Sequence, residues 1–113
     1  MMSRAGSVID VGELHAATRF WDRYRGLRGR SVSEIGPGLW LPACNCVHTL
    51  GMRAAIDVVF VDRGGQAVRV VGAVQPWRFV FGGWRARGVL EFPSGRATEL
   101  GISPGSRLQW HAT

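Results

Sequence analysis

The sequence predicts a small, mainly β protein, an antiparallel sandwich or partly open barrel with one or two short helices. Three observations lead there. Runs rich in Val, Ile, Phe and Trp are short and recur between turn signals containing Gly or Pro. Two of them, Ile56 to Asp62 and Gln66 to Val74, are joined by Arg63-Gly64-Gly65, the pattern of a β-hairpin. Stretches with helical spacing are few and brief. A chain of 113 residues with 46% apolar content, five Trp and five Phe supports one core, hence a single domain over residues 1–113.

Taken in order, Val8 to Val11 reads as a first strand, and Gly12-Glu13-Leu14-His15 as a turn into a second. Thr18 offers an N-cap for a short helix over Arg19 to Tyr24, ended by Gly26 and Gly29. In GPGLWLPAC, Pro37 and Pro42 fence a short apolar run, which suits an edge or a loop lying on the core, because proline donates nothing to a ladder. The hairpin follows. Gln75 to Arg78 then breaks the pattern, and Phe79 to Trp84 reads as an aromatic, glycine-rich loop or edge. Val89 to Phe92 is a further strand. Pro93-Ser94-Gly95 leads into a helix of one or two turns, Arg96 to Leu100, stopped by Gly101. Leu108-Gln109-Trp110 alternates as a closing strand.

The formal charge of +6 comes entirely from arginine, since all fourteen basic residues are Arg. A basic face attracts phosphate by counterion release, and Arg19, Arg23, Arg25, Arg28 and Arg30 would form one basic edge. No zinc-finger, helix-turn-helix or RNA-binding pattern accompanies them, so they read as a solvated face and no specific nucleic-acid binding is expected. No window approaches the roughly 18 apolar residues of a membrane span. The start, MMSRAGSVIDVGEL, has no apolar segment of signal-peptide type, so a bacterial, cytoplasmic protein is expected.

The stretch CNCVHTLGM concentrates reactive side chains. On a strand, Cys44, Cys46 and His48 would project together at i, i+2 and i+4, a comb of soft ligands suited to zinc or copper. A structural zinc site wants a fourth ligand, and no cofactor is predicted. Cys46 beside His48 is also a candidate thiolate nucleophile. The alternative is that the cysteines are small buried hydrophobes.

Asp57 heads an apolar strand, where a carboxylate is costly unless paired. An ion pair with Arg25, Arg30 or Arg53, hydrogen bonds to loop amides, or a ligand-facing role beside His48 would each explain it. Glu91 interrupts Val-Leu-Glu-Phe in the same way. Facing one cleft, Asp57 and Glu91 would form an acid-base pair with one raised pKa. Trp77, Phe79, Phe81 and Trp84 either cover a barrel end or line a groove for a peptide or sugar. The amides after Pro93 open a helix and suit an anion.

RYRGLRGR, then HTLGM, then IDVVFVD, then VLEFPSGRATELGISPGSRL resembles, in that order, the domain-of-unknown-function family 192. The matching residues are Arg25, Gly26, Leu27, Gly29 and Arg30; His48, Thr49 and Met52; Ile56, Asp57 and Phe60; and Glu91, Gly95, Gly101 and Gly105. Cys44 and Cys46 fall outside the shared pattern. The resemblance implies one mainly β domain, no established activity, and an association with secretion or pilus assembly, where some relatives are placed. The resulting expectation is a non-enzymatic binding or accessory module for a small ligand or protein, with contacts at Arg25, Arg30, His48, Thr49, Met52 and Asp57. The alternative is a metal- or thiol-dependent hydrolase using Cys44, Cys46, His48, Asp57 and Glu91.

Overall fold

Strand β4 (Ile56–Val61) is buried at all six positions, which a strand achieves only when both faces of its sheet are covered. The computed structural model describes residues 7–16, 37–50, 52 and 54–113. The expected helix over Arg19 to Tyr24 and the Arg25 and Arg30 loop lie outside them.

Around β4 stand β1 (Val8–Ala16), β2 (Leu39–Pro42), β3 (Cys46–His48), β5 (Ala67–Val74), β6 (Phe79–Phe81), β7 (Gly88–Pro93) and β8 (Arg107–Ala112), and a helix among the described residues, α1 (Arg96–Leu100), follows β7. Six strands form one sheet in the order β5-β4-β7-β2-β1-β8, and β3 pairs with β6 in a separate ribbon. β4, β5, β7 and β2 are antiparallel neighbours. β1 runs parallel to both β2 and β8, so the sheet is mixed.

The sheet curls until its ends nearly meet. Leu108 N donates to Gly65 O at 3.0 Å, Ala67 N to Ser106 O at 2.8 Å and Gly105 N to Ala67 O at 2.8 Å, joining the start of β8 to the β4-β5 turn. This is the partly open barrel expected from the chain.

Alternation sorts the side chains into two cores. Val59, Val61, Leu90, Phe92, Val11 and Leu14 pack on one face with Ala97 and Ile102. Ile56, Val58, Phe60, Val89, Leu39 and Leu41 pack on the other, beneath Val47 of β3 and Val80 of β6. Burying aliphatic and aromatic side chains contributes about 1.5–3 kcal/mol each, and here both faces of one sheet supply it.

Two sequence expectations change. β1 is one continuous strand rather than a strand and a turn, because Gly12 takes φ 91° and is absorbed as a bulge against β8. Leu39 to Pro42 is an interior strand, not an edge or loop. Pro42 stands at its last position, opposite Gly88 at the first of β7, where a missing donor costs the ladder little.

Gly82 lies against the fully buried ring of Phe60, so that a Cβ at this position would overlap the ring. Gly82→Ala is expected to lower stability by about 1–3 kcal/mol, measured as a lower urea midpoint with an unchanged slope.

Candidate functional site

Thr49, immediately after β3, is fully buried and laces the ribbon together. Its hydroxyl donates to Gln75 O at 2.7 Å and accepts from Arg78 N at 2.8 Å. Its backbone N–H donates to Arg78 O, and its carbonyl accepts from Trp77 N. With every polar atom engaged in shaping the 75–78 turn, Thr49 presents nothing to a ligand. Met52, also expected at the site, is a core side chain at 4% exposure.

Asp57 is likewise occupied. Oδ1 accepts from Ala73 N, and Oδ2 accepts from Gly95 N and Ala97 N, all at 2.9 Å. Of the explanations weighed from sequence, hydrogen bonds to backbone amides are present, while Arg25, Arg30 and Arg53 lie outside the described residues. The amides ahead of α1 that suited an anion receive the protein's own carboxylate.

Asp57 and Glu91 sit on adjacent strands but on opposite faces. Asp57 is in register with Phe92, whereas Glu91 is in register with Val58 on one side and Leu39 on the other. The acid-base pair expected if both faced one cleft is therefore not assembled, because neighbouring residues on a strand point to opposite faces. Glu91 is completely buried in the Leu39 and Val58 core. Among the described residues neither of its carboxylate oxygens meets a hydrogen-bond donor. Burial pushes its pKa up to about 8, because the charged form loses its hydration without compensation.

The cysteines separate as well. Ala43 takes φ 59° in the turn after β2, and β3 begins only at Cys46, leaving Cys44 outside the strand. Cys44 packs against the core, while Cys46 is an exposed free thiol. The three-residue comb expected on one strand is thus not formed. Among the described residues no group of three His, Cys, Asp or Glu lies close enough to hold a metal ion.

The ribbon's register does assemble a surface. Cys46 stands opposite Phe81, Val47 opposite Val80 and His48 opposite Phe79. The valines enter the core, so the other four side chains form the outer face. The His48 and Phe79 rings are 6.0 Å apart, and His48 Nδ1 accepts from Leu50 N at 3.3 Å. Phe79 and Phe81 are each 61% exposed, Trp77 64% and Trp84 85%. These four aromatic side chains face outward, while Val80 between Phe79 and Phe81 packs on the core.

Between β5 and β6 runs a groove of about 400 Å³ lined by Arg69, Gly72, Gln75, Arg78, Phe79 and Phe81, among others, with no carboxylate. Arg69 reaches across to donate to Phe81 O, and Arg78 donates to Trp77 O at 3.5 Å. Sequence reasoning missed both arginines. The available signal was the lack of any acid between Asp62 and Glu91, where five arginines stand.

The model of the DUF192 family, Uncharacterized ACR, COG1430, matches residues 2–110. A UPF0127 protein of Pyrococcus furiosus is 37% identical over 65 residues, covering 58% of this chain and 55% of its own length. The chain therefore spans about half of that relative. A UPF0127 protein of Thermococcus sibiricus is 25% identical over 114 residues, covering 97% of this chain and 73% of its own. The crystal structure of a protein of unknown function from Novosphingobium aromaticivorans has a TM-score of 0.70 at 21% identity, covering 84% of this chain and 72% of that one. That likeness is one of fold.

Two outcomes follow from the buried carboxylates. Asp57→Ala orphans three amides and is expected to cost roughly 3–5 kcal/mol in urea unfolding. Glu91 acts through pH. Its folded pKa of about 8 lies above the ordinary 4.5 of a glutamate, so stability present below pH 4.5 is lost as pH rises through about 8, by on the order of 5 kcal/mol. In Glu91→Gln this slope disappears, measured by urea midpoints across that range.

Proposed function

The chain belongs to the DUF192 family, which has no assigned activity, and on that footing we propose that it is a non-enzymatic binding module whose contact surface is the outer face of the β3-β6 ribbon and the groove beside it. The observation that carries this reading is the exposed pair Phe79 and Phe81, held on a strand at the rim of a groove whose charged lining is Arg69 and Arg78. Large apolar side chains grouped at the surface are a feature of interaction sites. Arginine beside an aromatic ring adds a donor fork and a stacking plane suited to an anionic or planar partner. Of the residues expected from sequence at a site, Cys46 and His48 belong to this face. Thr49, Met52 and Asp57 support it from within.

The hydrolase alternative has less to rest on. Asp57 spends its acceptors on amides, and Glu91 faces the opposite core. Among the described residues, no helix is long and apolar enough to cross a membrane.

The test uses 8-anilinonaphthalene-1-sulfonate, a planar aromatic anion, with the natively folded chain. Saturable fluorescence enhancement is expected, reduced several-fold in Phe79→Ser/Phe81→Ser and in Arg78→Gln at unchanged far-ultraviolet circular dichroism. Equal enhancement in all three proteins would remove this face from consideration.

A further inference from the structure

Residues 77–87, WRFVFGGWRAR, interleave four aromatic side chains with three arginines, inside a longer stretch free of acid. The four aromatics are all exposed. Among the described residues the arginines of the groove meet no acid: Arg69 and Arg78 donate to backbone carbonyls, and the ion pair found there, Arg96 with Glu99, lies on α1. A second hollow of about 240 Å³ at the β4-β5 turn adds Arg63, Arg85 and Arg87 around Asp62.

We propose that the outer face of β6 and its groove bind single-stranded nucleic acid without sequence preference, bases stacking on Phe79 and Phe81 while phosphates meet Arg69 and Arg78. This rests on the binding-module reading and names its partner class. Phe79 and Phe81 are two apart on one strand, so their Cα atoms are about 6.5–7 Å apart on the same side. A stacking platform set into a cationic groove is the arrangement by which single strands are held, since every base has a π-face and every linkage a charge.

Other occupants fit less well. A second copy docked by the same face would bring two arginine-lined grooves together in a chain of charge +6. A peptide strand added to the outer edge of β5 would meet the Arg69 side chain, which already spans to Phe81 O. A bilayer takes up apolar side chains projecting to a common depth, whereas Phe79 and Phe81 stand at the rim of a groove lined by Arg69 and Arg78.

Anisotropy of a fluorescein-labelled oligothymidylate of about fifteen nucleotides, titrated with the full chain at roughly 50 and 200 mM salt, tests the proposal. Binding is expected in roughly the micromolar range at the lower salt, weakening as salt rises, and tighter than for a duplex of equal length. Phe79→Leu and Phe81→Leu, which keep apolar bulk but remove the ring, should each weaken it about tenfold with an unchanged melting temperature. Arg69→Gln and Arg78→Gln should each lower the log-log salt slope by about 0.7. Four results overturn the proposal: no binding at the lower salt, affinity indifferent to both leucine variants, a preference for duplex, or tighter binding to phosphatidylglycerol vesicles than to the oligonucleotide. If the sulfonate dye still reports the face while the oligonucleotide does not bind, the partner class fails and the binding-module reading stands. If neither binds, both fail.

Discussion

Asp57 is the constraint on which the rest of the structure depends. A carboxylate at 2% exposure is tolerable only with donors around it, and three backbone amides supply them, one from β5 and two from the segment that opens α1. The need is mutual, because buried amides without acceptors are also costly. One residue thereby fixes a bulge in β5, where Ala73 takes φ 52°, and the seating of α1 against the sheet. The path of the chain out of that bulge leads directly to the Gln75–Arg78 turn. Thr49 fastens this turn to the end of β3. The position of β6 follows.

That sequence of constraints explains how a short ribbon acquires an informative outer face. Val47 and Val80 must cover the Ile56, Val58 and Phe60 side of the sheet, and Gly82 lets the end of β6 come down onto Phe60. Once those contacts are made, alternation leaves Cys46, His48, Phe79 and Phe81 outside. Their exposure is imposed by the core beneath them. Glu91 is the counterpart of Asp57 on the opposite face, equally buried but without a donor among the described residues. The two carboxylates, alike in sequence context, have opposite electrostatic situations because one register step separates their faces.

Much of the fold was legible along the chain. The β4-β5 hairpin, β7, α1 with its Gly101 cap and the closing strand β8 all carry local signals strong enough to survive into the structure: β-branched runs, a glycine turn and a C-terminal αL glycine. The elements misread were those where local and tertiary preferences disagree. Gly12 looked like a turn because glycine weakens strands, yet β8 alongside converts it to a bulge. Pro42 looked incompatible with an interior strand, yet its position at the strand end leaves the ladder intact.

By itself the sequence determined the class of fold, the family pattern, which residues would be expensive to bury, Asp57 and Glu91, and where reactive side chains concentrate, in CNCVHTLGM. Those follow from composition and short-range periodicity, which act over a few residues. Only the tertiary structure decided what becomes of each. Asp57 meets amides 16, 38 and 40 residues away, Cys44 and Cys46 part because β3 begins only at Cys46, and Arg69 joins Phe79 and Phe81 across a groove between two sheets. Register and long-range hydrogen bonding set these outcomes, and neither is encoded in local spacing.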